Sequence, residues 1–86
     1  MIQKIQAPIS VNLQFNSKAR KVSPTSLYWD GKLYKVNKIG LHHKYREGTL
    51  LFHIFSVDTE TLFFRIKLNT DNLHWTLEEI ADGEPD

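Results

Sequence analysis

Leu27-Tyr28-Trp29-Asp30-Gly31-Lys32-Leu33-Tyr34-Lys35-Val36 decides the fold class of this 86-residue chain, because an Asp-Gly pair stands between two runs of alternating aromatic and aliphatic residues. Such a pair makes a two-residue hairpin turn. Both central positions of a type I′ turn need positive φ, which glycine adopts freely and aspartate tolerates. Counting outward, Trp29 faces Lys32, Tyr28 faces Leu33, Leu27 faces Tyr34 and Thr25 faces Val36. The period of two then puts Thr25, Leu27, Trp29, Lys32, Tyr34 and Val36 on the core side, and Ser26, Tyr28, Leu33 and Lys35 on the outer one.

Before the hairpin, Ile9-Ser10-Val11-Asn12-Leu13-Gln14-Phe15 alternates over seven residues and predicts a strand with Ile9, Val11, Leu13 and Phe15 turned inward. Pro8 marks its start, and Ile2 to Gln6 form either a short edge strand or a loose arm. Asn16 to Pro24 mix turn formers with three positive charges and read as a basic loop, with room for a short strand or turn at Val22.

After the hairpin, the apolar positions change from even (Tyr34, Val36) to odd (Ile39, Leu41). A bulge or bend at Asn37 or Lys38 would absorb that slip, with Gly40 easing the curvature. His42 to Gly48 read as a polar turn. A second hairpin runs Thr49–Val57 and Leu62–Leu68, with Val57 opposite Leu62, Phe55 opposite Phe64, His53 opposite Ile66 and Leu51 opposite Leu68. Phe52, Ile54, Phe63, Arg65 and Lys67 fall on its second side. Leu73, Trp75 and Leu77 continue the core face in a last strand, with Lys67 opposite His74, Arg65 opposite Thr76, and Glu78 diagonal to Arg65.

No stretch has a helical period, so the expected fold is all-β: an antiparallel meander of five to six strands, a curled sheet or a small open barrel. Residues 1–80 form the single domain, and 81–86 a disordered acidic tail. The chain has no cysteine, no long apolar run and no signal-peptide pattern, which points to a reducing, cytoplasmic setting. Net charge is only +1, but residues 1–46 carry nine Lys/Arg against one acid, and residues 47–86 carry two against nine.

Trp29-Asp30-Gly31-Lys32-Leu33-Tyr34-Lys35-Val36, with Phe52 to Asp58, Leu62 to Ile66 and Trp75-Thr76-Leu77, resembles a family of small uncharacterised bacterial all-β domains. Its outline is a Trp-x-Gly-x-x-Tyr-x-Val hairpin, a strand pair and a closing Trp-x-Leu. The likeness covers about residues 27–80 and lies in hairpin and core positions, so it implies a fold and no active residue. Some members are linked to DNA-repair polymerases, which implies a nucleic-acid setting. This chain lacks a glycine in its Asp58–Thr61 turn and has a longer N-terminal loop.

No phosphate loop, nucleophile elbow or paired-carboxylate spacing is present, so the expectation is a non-catalytic accessory binding module without a cofactor. His42, His43, His53 and His74 are the only conceivable metal set. Adjacent strand residues point to opposite faces, so their spacing favours polar turn histidines and a half-buried His53 over a metal site. The basic and aromatic set Lys21, Tyr28, Lys32, Lys35, Lys38, Lys44 and Arg46 suits single-stranded nucleic acid, with Tyr28 stacking on a base and the cations on phosphates. The plainer reading is a solvated sheet whose lysines discourage edge pairing. The alternative function is a protein-interaction or homodimerisation module meeting a partner or second copy through Phe52, Ile54 and Phe63.

Overall fold

The computed structural model describes residues 2–82, which form eight antiparallel strands in two sheets and no helix. They are β1 (Ile2–Pro8), β2 (Ser10–Asn16), β3 (Lys21–Trp29), β4 (Lys32–Lys35), β5 (Lys38–Glu47), β6 (Leu50–Asp58), β7 (Phe63–Asn69) and β8 (His74–Ala81). One sheet has the order β1-β8-β7-β6-β5 and the other β2-β3-β4. The all-β antiparallel class stands, but the strand count rises to eight and the sheets do not close into a barrel. No helix among these residues is long and apolar enough to cross a membrane.

The Asp30-Gly31 hairpin has the expected register, Trp29 with Lys32, Tyr28 with Leu33 and Leu27 with Tyr34. Asp30 and Gly31 both take positive φ, 53° and 77°. Leu27 is wholly buried, and Trp29, Tyr34 and Val36 pack against a core of Phe55, Val57, Phe64, Ile66 and Leu77 from the larger sheet. Thr25 is exposed instead of core-facing, because a bulge between Asn12 and Leu13 passes over it and Pro24 takes the buried place.

The chain changes sheet twice. Ile9 N–H donates to the Trp75 carbonyl in the larger sheet at 3.3 Å, just as β1 gives way to β2. Val36 N–H still donates to Thr25 in the smaller sheet (3.0 Å), and the next residue, Asn37, donates to Asp58 in the larger (2.8 Å). The phase slip after Val36 is therefore a corner between sheets, and the bulge lies further on, at Gly40 between Ile39 and Leu41. His42 to Glu47 continue β5 as strand, since the pairing with β6 runs unbroken from Leu41–Ser56 to Glu47–Leu50. Residues Ile2 to Gln6 belong to an ordered edge strand on β8. The basic loop shrinks to a tip at 17–20, where the Asn16 side-chain oxygen accepts from the Lys18 and Ala19 N–H groups.

In the β6–β7 hairpin the observed pairs are Val57 with Phe64, Phe55 with Ile66 and His53 with Leu68. The expected register is off by two residues. Thr59 causes the shift: its N–H and hydroxyl both donate to the Leu62 carbonyl (2.9 and 2.7 Å), so the turn tightens onto Glu60 and Thr61. A shift of two preserves every face. The β7–β8 hairpin likewise pairs Lys67 with Thr76 instead of His74, and Arg65 with Glu79 across a bulge, while Arg65 still meets Glu78 at 3.2 Å. Leu73 leaves the core face for the turn, at φ 62° and 69% exposure. Ala81, expected in the tail, pairs with Ile2 and Phe63; residues 83–86 lie outside the described residues.

Phe52 and Ile54 sit on the second face of β6 as expected, yet Ile54 is 1% exposed and Phe52 is buried as well. Tyr45 stacks on Phe52 at 5.3 Å, and the Lys67 side chain reaches over the same ring. Only Phe63 of the expected docking trio is open to solvent.

Candidate functional site

The Gly40 bulge decides which side of β5 meets the interior. Ile39 pairs with the core residue Val57, Gly40 is the extra residue, and beyond it His42 pairs with Phe55, Lys44 with His53 and Arg46 with Leu51. Directly paired residues share a face, so His42, Lys44 and Arg46 turn to the inter-sheet side. His43 and Tyr45 turn to the other. Of the two adjacent histidines, the bulge selects His42 to face His53.

His42 lies on Phe55 with ring centroids 4.1 Å apart and planes 14° from parallel. Phe55 in turn packs on Trp75 at 5.8 Å. The Nε2 of His42 and Nδ1 of His53 are 2.7 Å apart, a hydrogen bond in which one ring donates and the other accepts. Burial lowers the pKa of His42 below its ordinary 6.5, helped by the charges of His53, Lys44, His43 and Lys21. Burial and Lys44 lower that of His53. A cation is disfavoured between two imidazoles already facing two ammonium groups.

Lys21 comes from the opposite sheet, and its charge is the smallest of those acting on His42. β4 pairs only with Ser26 to Trp29, which leaves the far half of β2 and β3 as a two-stranded ribbon overhanging the larger sheet. Leu13 and Phe15 follow Val11 on the ribbon's inner face, and Phe15 pairs with Val22. Their exposures are 43% for Leu13, 63% for Phe15 and 41% for Val22. The two sheets thus open into a wedge, with one apolar wall and one wall of His42, His53, Lys44 and Arg46.

The sequence-derived basic set is divided by the fold. Lys44 and Arg46 follow His42 on the same side of β5, whereas Lys21 lies at the start of β3 beside Val22. Tyr28 is exposed on the far face of the smaller sheet, opposite Leu33, and Lys35 shares that face. Lys32 lies on the inner side with its ammonium 5.3 Å from the Tyr34 ring centroid. Lys32 and Lys35 both border a depression that also holds Glu60. Lys38 pairs with Asp58 and lines a groove of about 460 Å³ across the second face of the larger sheet, beside Phe63, Arg65 and Glu79.

His42, His53 and Phe15 were not legible as partners. The signal was Gly40 itself: a bulge there, carried forward, exchanges the faces of every later residue in β5. Among the described residues no three His, Asp or Glu side chains come together as a metal-binding group. No family model, curated protein or solved structure matches this chain.

Proposed function

We infer that this domain is a non-catalytic binding module for single-stranded nucleic acid, which lies in the wedge between the β2–β3 ribbon and β5. The observation carrying this reading is the open side of β5 that bears His42, Lys44 and Arg46, together with an inner ribbon wall that presents Phe15 at 63% exposure. The Lys44 and Arg46 side of β5 suits a phosphodiester, and a solvent-exposed aromatic ring suits any base, since every base has a π-face. Arg46 extends the cationic track along β5. Tyr28, Lys32, Lys35 and Lys38 lie elsewhere and add only general attraction. The cytoplasm, where a chain without cysteine loses nothing, is the compartment proposed with it.

The test is a titration with a labelled mixed-sequence oligonucleotide at two salt concentrations. Lys44→Ala should flatten the slope of log affinity against log salt by about 0.7. Phe15→Ala should weaken binding by about 1–3 kcal/mol at unchanged slope, because stacking releases few counterions. No binding at low salt overturns the reading. The second reading, a protein-interaction module, is favoured by the exposure of Ile2, Leu41 and Phe63 around the second-face groove. Such a contact would persist as salt rises.

A further inference from the structure

The His42–His53 contact has a proton count that limits what the wedge can present. Two neutral imidazoles hold two protons on four nitrogens. One proton occupies the 2.7 Å contact between Nε2 of His42 and Nδ1 of His53. The other must sit on one of the two remaining nitrogens, Nδ1 of His42 or Nε2 of His53, leaving the second as a bare acceptor. Neither remaining nitrogen makes a hydrogen bond within the described residues. One additional proton converts the bare nitrogen into a donor and leaves the shared bond intact. A second additional proton would break it, since both rings would then be donors at the contact.

We propose that the wedge seats a phosphate group of its ligand against Lys44 and the His42–His53 pair, and that the pair takes up one proton as the phosphate arrives. The proposal rests on the nucleic-acid reading and deepens it. The charged and titratable groups acting on the pair are Lys44 and His43 from β5 and Lys21 from β3, with no carboxylate among them. These cations and partial burial keep the empty pair neutral. A phosphate offsets the lysines, and the pair then gains a positive charge and a second outward N–H donor. Binding and protonation are reciprocal, so the ligand tightens as pH falls and the ligand raises the pair's proton affinity.

The experiment uses the whole chain and a mixed-sequence oligonucleotide with a 5′-hydroxyl, titrated at about pH 8 and about pH 6 at constant ionic strength. A pKa rise of about one unit in the pair gives a gain that is severalfold at about pH 6 and approaches about tenfold only once pH lies below the pKa of the empty pair. The double variant His42→Gln/His53→Gln, which leaves no imidazole in the pair to take up a proton, should bind near pH 8 and lose the gain, whereas His74→Gln, on the other face of the larger sheet, should keep it. Should the double variant fail to fold, the imidazole Cε1–H resonances of the unaltered chain serve instead: those of His42 and His53 should titrate at higher pH with the oligonucleotide bound. A gain on the 5′-hydroxyl oligonucleotide assigns internal phosphodiesters, and one confined to a 5′-phosphorylated oligonucleotide assigns the terminal phosphate; either supports the seat. Binding at pH 8 with no change at pH 6 on both oligonucleotides overturns the proton-linked seat and leaves the nucleic-acid reading standing. Absence of binding at every pH overturns both.

Discussion

Lys67 holds its ammonium 4.8 Å from the centroid of the Phe52 ring while a Glu78 carboxylate oxygen stands 3.8 Å away on its other side. The same carboxylate group accepts from Arg65 Nε at 3.2 Å. Glu78 therefore ties two cations down over the second face of the larger sheet, where its own side chain is only 16% exposed. Glu78→Gln should cost about 0.5–1 kcal/mol in urea unfolding, with the loss smaller at high salt. An unchanged midpoint at low salt would mean that the apolar stem of Lys67 covers Phe52 unaided.

Gly31 has φ 77°, and a Cβ placed on it would meet no atom within 4 Å. Any penalty at this position is thus one of backbone conformation and not of crowding. Gly31→Val should lower stability by more than about 1 kcal/mol, since a β-branched residue resists positive φ. A thermal midpoint equal to that of the unaltered chain would remove the Asp30-Gly31 turn from the forces that set the register.

Ile54 and Phe63 occupy the same face of the larger sheet but differ in cover, at 1% and 42% exposure. Ile54→Ala should cost about 2–5 kcal/mol. Phe63→Lys should cost less than about 1 kcal/mol. Sedimentation of Phe63→Lys separates a free surface from a contact between copies: an unchanged mass equal to one chain leaves Phe63 as an isolated exposed side chain, and a mass that halves identifies it as a contact between two chains.

His42 and His53 both have pKa values lowered from 6.5 by burial first and neighbouring charge second. In the unfolded chain each takes up a proton near 6.5, whereas the folded chain resists until lower pH. The unfolded state therefore binds more protons across that interval, and stability falls as pH drops below about 6.5, levelling off once the folded pair is itself protonated. Thermal midpoints recorded from about pH 8 to about pH 5 should show this fall, and the double variant His42→Gln/His53→Gln should flatten it. A fall of equal size in the double variant would assign it to other groups.

The hairpin at Asp30-Gly31 was legible to the residue because its signal is local: two residues with a conformational demand fix every pair beside them. The same holds for which face each residue of β6, β7 and β8 takes from Phe52 to Leu68 and at Trp75 and Leu77. Register in those hairpins was less legible, as Thr59 joins the Leu62 carbonyl through two donors and moves the turn by two residues without changing the alternation. Least legible was the move between sheets. Consecutive N–H groups at Val36 and Asn37 choose different sheets for reasons that lie in Thr25 and Asp58, distant in sequence. The wedge inherits that difficulty, because the β2–β3 ribbon and the His42–His53 pair take their places only after both the corner and the Gly40 bulge are formed.

The pairing of β1 with β8 sets Ile2 beside Ala81 at one edge of the larger sheet. The chain is thus nearly a closed circuit, in which the first and last strands are neighbours like any two strands of a hairpin. A short linker joining these strands would replace a missing connection and not create a new one. The circuit could then be opened at the Glu60-Thr61 turn with all seven other connections kept, counting the linker, and with the wedge untouched at the side chains of Lys21, His42, Lys44 and His53. Chain order along the sheet is in this sense a matter of where the circuit is cut, and the His42–His53 contact does not depend on it.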